Sequence, residues 1–293
     1  MKISIIGVGK LGGALAIALS RQNFKIENLF ARNSENAKKI VELVESKPKI
    51  KFENEFADVS SDVILIATQD FEIGKVAQKL KEDLQNNPIV FHTSGSLSSD
   101  ILKDLKAIGC KVGSIHPLVS ISDAGLGAER FADAYFCVEG DDEAIKVGDQ
   151  IVEKLGGKSF SINTEYKTLY HASATTACGH LTALVDVAIE ILTRCGIDEA
   201  NAQKILLPLI KSTVENLETQ STVEALTGTV ARADVKTLEN HLETLKENVS
   251  AEAREVYLQL AARSVHLAER QGANAENLEK IRRKLLLAKN NLK

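Results

Sequence analysis

Two side chains that can donate or accept protons, Lys167 and His171, are four residues apart in a segment with helical periodicity. Residues with this spacing share one face of a helix, and Thr175 continues that face one turn later. A lysine beside a buried wall and a positively charged ring has a lowered pKa. Such a lysine can protonate a carbonyl oxygen while hydride reaches the carbon, with the histidine orienting that oxygen. The alternative is an exposed lysine and an incidental histidine.

A second group of polar residues follows predicted strands in the N-terminal half, at the strand ends where parallel sheets bind ligands. Pro117 fixes the backbone beside His116, and Ser94–Gly95 combines a hydroxyl group with a permissive backbone. We expect these residues to hold a small polar substrate. Turn chemistry and a structural histidine are the competing interpretations. The same strand ends supply three candidate cofactor contacts, Thr68, Asp70 and Thr93.

The N-terminus carries the glycine pattern Gly7-x-Gly9-x-x-Gly12 between a β-branched apolar run and a helical segment. In a dinucleotide site the first glycine allows a tight turn, the second admits the pyrophosphate, and the third lets helix and strand pack closely. The helix N-terminus then receives the phosphates. A purely structural turn is the alternative. We predict cofactor contacts from Gly7, Val8, Gly9, Lys10, Leu11 and Gly12.

The end of the second predicted strand distinguishes between the two nicotinamide dinucleotides. NAD sites usually place a carboxylate there, whereas this strand ends in Arg32-Asn33-Ser34. The planar guanidinium of Arg32 and the hydroxyl of Ser34 suit a 2′-phosphate, and Asn33 lies between them. The sequence therefore predicts NADP. Alternatively, Arg32 is a solvated loop residue and Ser34 only caps a helix that starts at Glu35.

A loop in the C-terminal half contains Thr227, Arg232 and Asp234 between helical segments. Arg232 can bind a carboxylate through two parallel hydrogen bonds, and Thr227 adds a hydroxyl group. The alternative is that Arg232 and Asp234 pair with each other and cap the helix toward His241.

The order of the elements predicts two domains. Strands and helices alternate through residue 163, which is typical of a doubly wound, mostly parallel α/β sheet. From residue 164 onward only helical spacing is present. We predict a dinucleotide-binding domain at 1–163 and an all-helical domain for substrate binding and dimerisation at 164–293. The predicted helices lie at about 35–45, 71–85, 141–155, 165–195, 198–219, 222–226, 234–245, 251–271 and 275–291.

Composition excludes several classes of protein. The 293 residues carry a net charge of −4, which argues against a general nucleic-acid binder. The four cysteines lack C-x-x-C spacing and are expected to be reduced core thiols, with no disulfide framework and no metal site. The chain starts with a strand, and we expect no leader and no apolar run of bilayer length. These features predict a soluble, cytoplasmic protein.

Over essentially its full length the chain resembles Rossmann-like oxidoreductases whose helical C-terminal domain has no assigned function. These are related to pyrroline-5-carboxylate reductase, deazaflavin-dependent NADP oxidoreductase and the β-hydroxyacid dehydrogenases, with a helical domain like that of 6-phosphogluconate dehydrogenase. Four motifs carry the resemblance: Gly7-x-Gly9-x-x-Gly12, Ser114–Leu118, Tyr170–Ala174, and Ala225–Gly228 continuing through Arg232-x-Asp234 to His241-Leu242.

The resemblance implies an NADP-dependent reductase of a small carbonyl or imine compound with a carboxylate, such as the 2-oxo acid ketopantoate. Lys167 falls on the lysine of the Lys-x-x-x-Asn pair of the β-hydroxyacid dehydrogenases, and His171 takes the asparagine position. Further departures are Thr229, Ala233 and His180, where relatives have proline, glycine and asparagine. The resemblance also implies a homodimer formed through the helical domains.

Two other functions stay open at this point. The departures favour a catalytically degenerate protein that binds NADP as a sensor or scaffold. The other is an enzyme with a deazaflavin partner, which needs an aromatic-lined groove. With four Tyr and nine Phe, the sequence shows no evident aromatic cluster for such a groove.

Overall fold

The computed structural model describes residues 1–52, 55–57 and 59–290. The chain divides into two compact units, Met1–Cys178 and Gly179–Lys293. This boundary lies later than the change of rhythm predicted at 163/164, because the first helix after the sheet packs with the N-terminal unit.

The N-terminal unit contains an eight-stranded sheet in the order β3-β2-β1-β4-β5-β6-β7-β8. All strand pairs are parallel except β6–β7. The strand order reverses between β1 and β4, which opens a crevice at their carboxyl ends. The strands are β1 (Lys2–Ile6), β2 (Lys25–Phe30), β3 (Lys49–Lys51), β4 (Val63–Ile66), β5 (Ile89–His92), β6 (Lys111–Pro117), β7 (Tyr135–Gly140) and β8 (Lys158–Phe160).

Helices cover both faces of this sheet, so the central strands read as continuous apolar runs. Neighbouring side chains of one strand face opposite layers. Ile5 therefore packs in one core cluster, and Ile6 in the other with Phe30 and Phe56. The helices of this unit are α1 (Lys10–Arg21), α2 (Ser34–Glu42), α3 (Asp70–Asp83), α4 (Lys103–Ala107), α5 (Ala124–Ala128), α6 (Asp142–Lys154) and α7 (Lys167–Ala177).

The described residues of the C-terminal unit form helices joined by turns, without a strand. Its core consists of apolar side chains such as Leu238, Leu258 and Ile281, which come from three different helices. The helices are α8 (Gly179–Thr193), α9 (Glu199–Thr219), α10 (Val235–Asn248), α11 (Ala251–Arg270) and α12 (Ala275–Asn290).

Several predicted elements need correction. The continuous helix at 165–195 is wrong, because a turn at Cys178 before Gly179 separates α7 from α8. Residues 222–226 form turns rather than a helix. The final predicted helix residue, Asn291, lies outside the described residues. The short strand β3 was not predicted, since its Lys-Ile-Lys sequence has the charged character of an edge strand.

Two expectations from composition also change. Cys110 and Cys137 are buried as expected, but Cys178 and Cys195 are exposed. One helical stretch, Thr164–Thr193, is long and apolar enough to cross a membrane by length and composition alone, contrary to prediction. A core helix of a soluble protein meets the same two criteria, but the apolar window of this stretch is not buried within the chain.

Candidate active site

The glycine loop between β1 and α1 has the geometry of a phosphate cradle. Gly7 has a φ of +94°, and a Cβ atom there would lie 2.7 Å from the Ala67 carbonyl oxygen. A Cβ atom on Gly12 would lie 2.0 Å from the Gly7 oxygen. By contrast, no described atom comes within 4 Å of a Cβ atom built on Gly9. Gly7 and Gly12 therefore hold the loop tight, and Gly9 leaves open space at the start of α1.

A cavity of about 510 Å³ lies beside this loop and is called the cofactor cleft. Arg32 lines it as predicted, and its guanidinium donates a hydrogen bond of 2.7 Å to the Glu72 carboxylate. Lys39 adds a second cation that the sequence analysis missed. The cleft is lined by Gly7, Val8, Gly9, Phe30, Ala31, Arg32, Asn33, Glu35, Asn36, Lys39, Ala67, Thr68 and Gln69.

The cap of α2 differs from the expectation. Helix α2 begins at Ser34, and the Asn33 side chain accepts hydrogen bonds from the backbone N–H groups of Glu35 and Asn36. Ser34 is therefore not the cap and does not line the cofactor cleft. The Asn36 amide donates to the Val8 carbonyl oxygen at 2.7 Å, so α2 fixes the glycine loop. Asn36 and Lys39 follow Asn33 at intervals of three residues, and this helical spacing could have predicted that they share its face.

The hydroxyl group of Thr68 is a buried polar group that suits contact with a ligand. It is buried and has no hydrogen-bond partner among the described residues. Thr68 lines the cofactor cleft and also a neighbouring cavity of about 360 Å³, called the polar cavity. A buried unpaired hydroxyl is costly, which fits a site that a polar ligand completes. The orphaned Thr68 oxygen, the open Gly9 and the exposed helix start together fit a dinucleotide.

The polar cavity collects most of the predicted substrate and nicotinamide contacts. It is formed at the carboxyl ends of β4, β5 and β6, where the strand tips of a parallel sheet meet. Lys10, Leu11, Thr68, Asp70, Thr93, Ser94, Gly95, His116 and His171 line it, together with Ala67, Gln69, Pro117, Val119 and Ile121.

Hydrogen bonds hold the loop after β5 in one conformation. The Ser94 hydroxyl accepts from the backbone N–H groups of Ser96 and Leu97. Ser96 donates to the Asp70 carboxylate at 2.7 Å. Below the loop, buried His92 accepts from the Ser94 N–H and bonds the Ser98 carbonyl oxygen. Burial lowers the pKa of His92 to about 4, so this imidazole is neutral.

His116 and His171 meet over Gly95. A Cβ atom at Gly95 would lie 2.7 Å from both Cε1 and Nε2 of His116, and 2.7 Å from Cδ2 of His171. Burial, and then the Lys167 charge, lowers the pKa of His116 to about 4. On its other side, Nδ1 of His116 lies 2.7 Å from the Tyr170 hydroxyl. Tyr170 was singled out only as part of a motif, not as a site residue.

Lys167 occupies a different place from the one expected. Its side chain is 2% exposed, and it does not line the polar cavity. The amino group donates to the Ser114 hydroxyl at 3.0 Å and lies 3.6 Å from the Glu139 carboxylate. Glu139 in turn accepts from the N–H and hydroxyl groups of Ser99. This buried pair fixes α7 to β6 and β7, and its partner Glu139 was not predicted.

The remaining predicted residues are not brought into the polar cavity. Thr175 is exposed on α7. In the C-terminal unit, Thr227 and Arg232 are exposed, and Asp234 caps α10 by accepting from the N–H and hydroxyl groups of Thr237. These hydrogen bonds, with a smaller effect of Arg232, lower the Asp234 pKa. The capping alternative is therefore correct for Asp234.

Two family models match the chain. Residues 1–117 match a Rossmann-like domain, which agrees with the sheet order and the glycine cradle. The fold is thus a Rossmann-like domain followed by a helical second domain. More particularly, residues 134–264 match DUF2520, a domain of unknown function. This match begins before β7 and continues across the boundary between the two units.

Solved structures share this fold over most of the chain. The protein TM1727 from Thermotoga maritima is 25% identical, with a TM-score of 0.72. The match covers 92% of this chain and 99% of TM1727. A pyrroline carboxylate reductase from Plasmodium falciparum, solved with NADP bound, is 15% identical, with a TM-score of 0.59. The match covers 92% of this chain and 98% of the reductase.

Among curated proteins, the glycerol-3-phosphate dehydrogenase [NAD(P)+] of Orientia tsutsugamushi is 31% identical over 125 residues. The match covers 36% of this chain and 38% of that protein. The chain therefore spans less than two fifths of this relative's length.

Proposed function

We propose that the protein is an NADP-dependent oxidoreductase that reduces a small carbonyl or imine compound carrying a carboxylate, with a 2-oxo acid such as ketopantoate as candidate. One observation carries the proposal. The cofactor cleft and the polar cavity share Ala67, Thr68 and Gln69, so the nucleotide and substrate sites are continuous. Solved and curated proteins that resemble the chain include oxidoreductases named with NADP or NAD(P)+.

The residues divide into those that hold the cofactor and those that face the reaction. The glycine loop and the start of α1 receive the pyrophosphate, and the Thr68 hydroxyl gains a partner. When bound, the nicotinamide supplies a hydride. His116 and His171 lie at the polar cavity and orient the substrate oxygen or nitrogen. Lys167 acts as a positioning residue, because it fixes α7 through Glu139 rather than reaching the cavity.

Preference for NADP rests on the charge of the cofactor cleft. Arg32 and Lys39 both line it, and a 2′-phosphate is recognised by a guanidinium fork and an ammonium group. The end of β2, where NAD sites hold the ribose hydroxyls, is followed by Ala31 and Arg32 rather than by a carboxylate, although Glu35 lines the cleft from the first turn of α2.

Fluorescence titration of NADPH and NADH tests the proposal. We expect wild-type protein to bind NADPH at least about tenfold more tightly, and Arg32→Ala to lose that preference, which corresponds to about 1.4 kcal/mol. Arg21→Ala is the matched control, since Arg21 pairs with Glu129 at the end of α1. Absence of binding to either nucleotide at millimolar concentration would contradict the proposal. Equal affinities in all three proteins would remove the NADP assignment.

A non-catalytic NADP sensor is the second candidate. The withdrawal of Lys167 from the polar cavity favours it, because the predicted proton donor is neutralised by Glu139. A sensor binds NADPH as tightly as an enzyme does but oxidises none in the presence of 2-oxo acids. Assaying NADPH oxidation with ketopantoate and pyruvate separates the two functions.

We also propose that the protein is a cytoplasmic homodimer formed through the helical unit. Helix α9 buries only Ala202 and exposes large apolar side chains around its circumference: Ile205, Leu207, Leu209, Val214 and Leu217. A helix that is apolar all round is normally enclosed. Charged residues such as Lys204, Lys211 and Glu215 on the same helix fit a protein partner better than a bilayer. Light scattering at protein concentrations of about 1–50 µM tests the dimer. A monomer at every concentration in this range would contradict the proposal.

A further inference from the structure

We propose that Tyr170 holds His116 in the tautomer that carries its proton on Nε2, and that this pair relays a proton to the substrate oxygen. The inference rests on the proposed reductase function and assigns a role to a residue that lies outside the predicted site. It starts from the hydrogen bond of 2.7 Å between the Tyr170 hydroxyl and Nδ1 of His116.

The direction of this hydrogen bond follows from the acidity of the two groups. A phenol is a good donor and an imidazole nitrogen is a good acceptor, so the Tyr170 O–H donates to Nδ1. Burial raises the pKa of Tyr170, which keeps the phenol protonated. Burial and the Lys167 charge lower the pKa of His116 to about 4, so its ring carries one proton at neutral pH. That proton is therefore on Nε2.

Neighbouring rings fix the pair. The planes of Tyr170 and His116 are nearly perpendicular, at 89°, with centroids 5.6 Å apart. Phe160 packs edge-on against Tyr170 with centroids 6.0 Å apart. The Lys167 amino group lies 5.9 Å from the Tyr170 ring centroid, in a cation–π contact with the ring. The phenol is thus held by β8, α7 and the buried Lys167–Glu139 pair.

The Nε2 atom of His116 is directed to the reaction site. It makes no hydrogen bond to the described residues, and it approaches the Gly95 position from the wall of the polar cavity. A carbonyl oxygen in this cavity accepts from Nε2–H. A pre-oriented donor at this position stabilises the negative charge that develops on that oxygen.

The proton balance of the step is complete. With NADPH bound, the hydride that it supplies would form the new C–H bond, and the electron pair of the C=O π bond would move to oxygen. The oxygen takes the Nε2 proton of His116 while Nδ1 takes the Tyr170 phenolic proton. Histidine ends as the Nδ1–H tautomer, tyrosine as a phenolate, and a proton from water restores the phenol. An alkoxide is a stronger base than a phenolate, which favours the transfer, whereas burial of Tyr170 opposes it.

Nitrogen-15 NMR of the histidine rings in the full-length protein tests the tautomer without any substrate. We expect a protonated Nε2 and an unprotonated Nδ1 for His116 at pH 7, with its signal assigned by His116→Gln. Tyr170→Phe should convert it to a mixture of tautomers. Tyr166→Phe, an exposed tyrosine next to the same helix, should leave the signal unchanged. An unprotonated Nε2 in the wild type, or an unchanged tautomer in Tyr170→Phe, would overturn the proposal.

A kinetic readout complements the spectrum. With ketopantoate as the probe, Tyr170→Phe is expected to lower kcat about 100-fold or more, within the range of general acid catalysis, while NADPH affinity stays unchanged. An undiminished kcat would overturn the relay. Loss of NADPH binding in the wild type would instead contradict the proposed function, and the tautomer would still be measurable.

Discussion

Gly95 lies so close to His116 that a Cβ atom on the glycine would stand 2.7 Å from the Nε2 atom of the imidazole. The same Cβ atom would also stand 2.7 Å from Cδ2 of His171. Both histidines lie against the loop after β5, and only glycine lets them approach it. This closeness explains why position 95 is a glycine, a point on which the sequence alone could not distinguish a turn from a substrate site.

Replacing Gly95 with alanine is therefore expected to displace both imidazoles. We predict a fall in turnover of about 100-fold, the size of effect that a shift of about 1 Å in catalytic groups produces, with NADPH affinity retained. Steady-state kinetics and nucleotide titration measure the two quantities. Gly74→Ala in α3 is the matched control, because a Cβ atom on Gly74 would lie at an ordinary van der Waals distance of 3.4 Å from the Ile101 side chain. Equal activity of the two variants would contradict the prediction.

Thr68→Val should separate stability from cofactor binding. The hydroxyl is buried without a partner among the described residues, so removing it eliminates a desolvation penalty of about 1–3 kcal/mol. We expect the free energy of unfolding to rise by about 1 kcal/mol and NADPH affinity to fall about five- to tenfold, consistent with the loss of one hydrogen bond. Urea unfolding and titration measure these effects.

Thr93→Val provides the contrast for that experiment. The Thr93 hydroxyl donates to the Ile66 carbonyl oxygen, so its removal is expected to lower stability. If Thr68→Val were also destabilising and left NADPH affinity unchanged, the hydroxyl would not be a ligand to the nucleotide.

Glu72→Gln should strengthen NADPH binding. The Glu72 carboxylate accepts a hydrogen bond of 2.7 Å from Arg32 and competes with a 2′-phosphate for the guanidinium. Removing its negative charge is predicted to tighten NADPH about three- to tenfold, with little change for NADH. Glu82→Gln on the same helix is the control, since Glu82 pairs with exposed Lys79. Weaker NADPH binding in Glu72→Gln would show that the pair orients Arg32 for the phosphate.

The buried Lys167–Glu139 pair predicts a large effect on stability. Lys167→Met leaves the Glu139 carboxylate buried without its cation, which costs about 3–5 kcal/mol. The double variant Lys167→Met with Glu139→Gln should recover much of this loss, because glutamine still accepts from the Ser99 N–H. Thermal and urea unfolding measure both, with Lys154→Met as control, because Lys154 is an exposed residue of α6. A single variant as stable as wild type would refute the pairing.

Acid should destabilise the fold through His92. Its pKa is about 4 in the folded protein against 6.5 in the unfolded chain, so below pH 6.5 the unfolded chain binds a proton that the folded chain does not. Stability is therefore complete above pH 7 and falls as the pH drops toward 4, by up to about 3 kcal/mol from this residue. Urea unfolding at pH 7.5 and 5 should show a smaller difference in His92→Gln, while exposed His266→Gln behaves as wild type.

Local patterns predicted the fold well because the central strands of the N-terminal unit, such as β1 and β4, are apolar runs that end in glycine or a polar turn. They could not locate Lys167, whose burial depends on Glu139 and Ser114 from distant strands. Spacing correctly linked Lys167 and His171 to one helix face but could not tell which of them faces the polar cavity. The break at Cys178 was missed for a related reason, since helical periodicity continues through it.

The hydrogen bond between His116 and Tyr170 joins residues that belong to two different family matches. His116 lies within the Rossmann-like match at 1–117, and Tyr170 lies within the DUF2520 match at 134–264. A chimera of two diverged homologues that is joined at the border between those matches would combine the position of His116 from one parent with that of Tyr170 from the other. Successful exchanges should instead carry residues 1–178 as one piece, so the helix that bears Tyr170 travels with the sheet it serves.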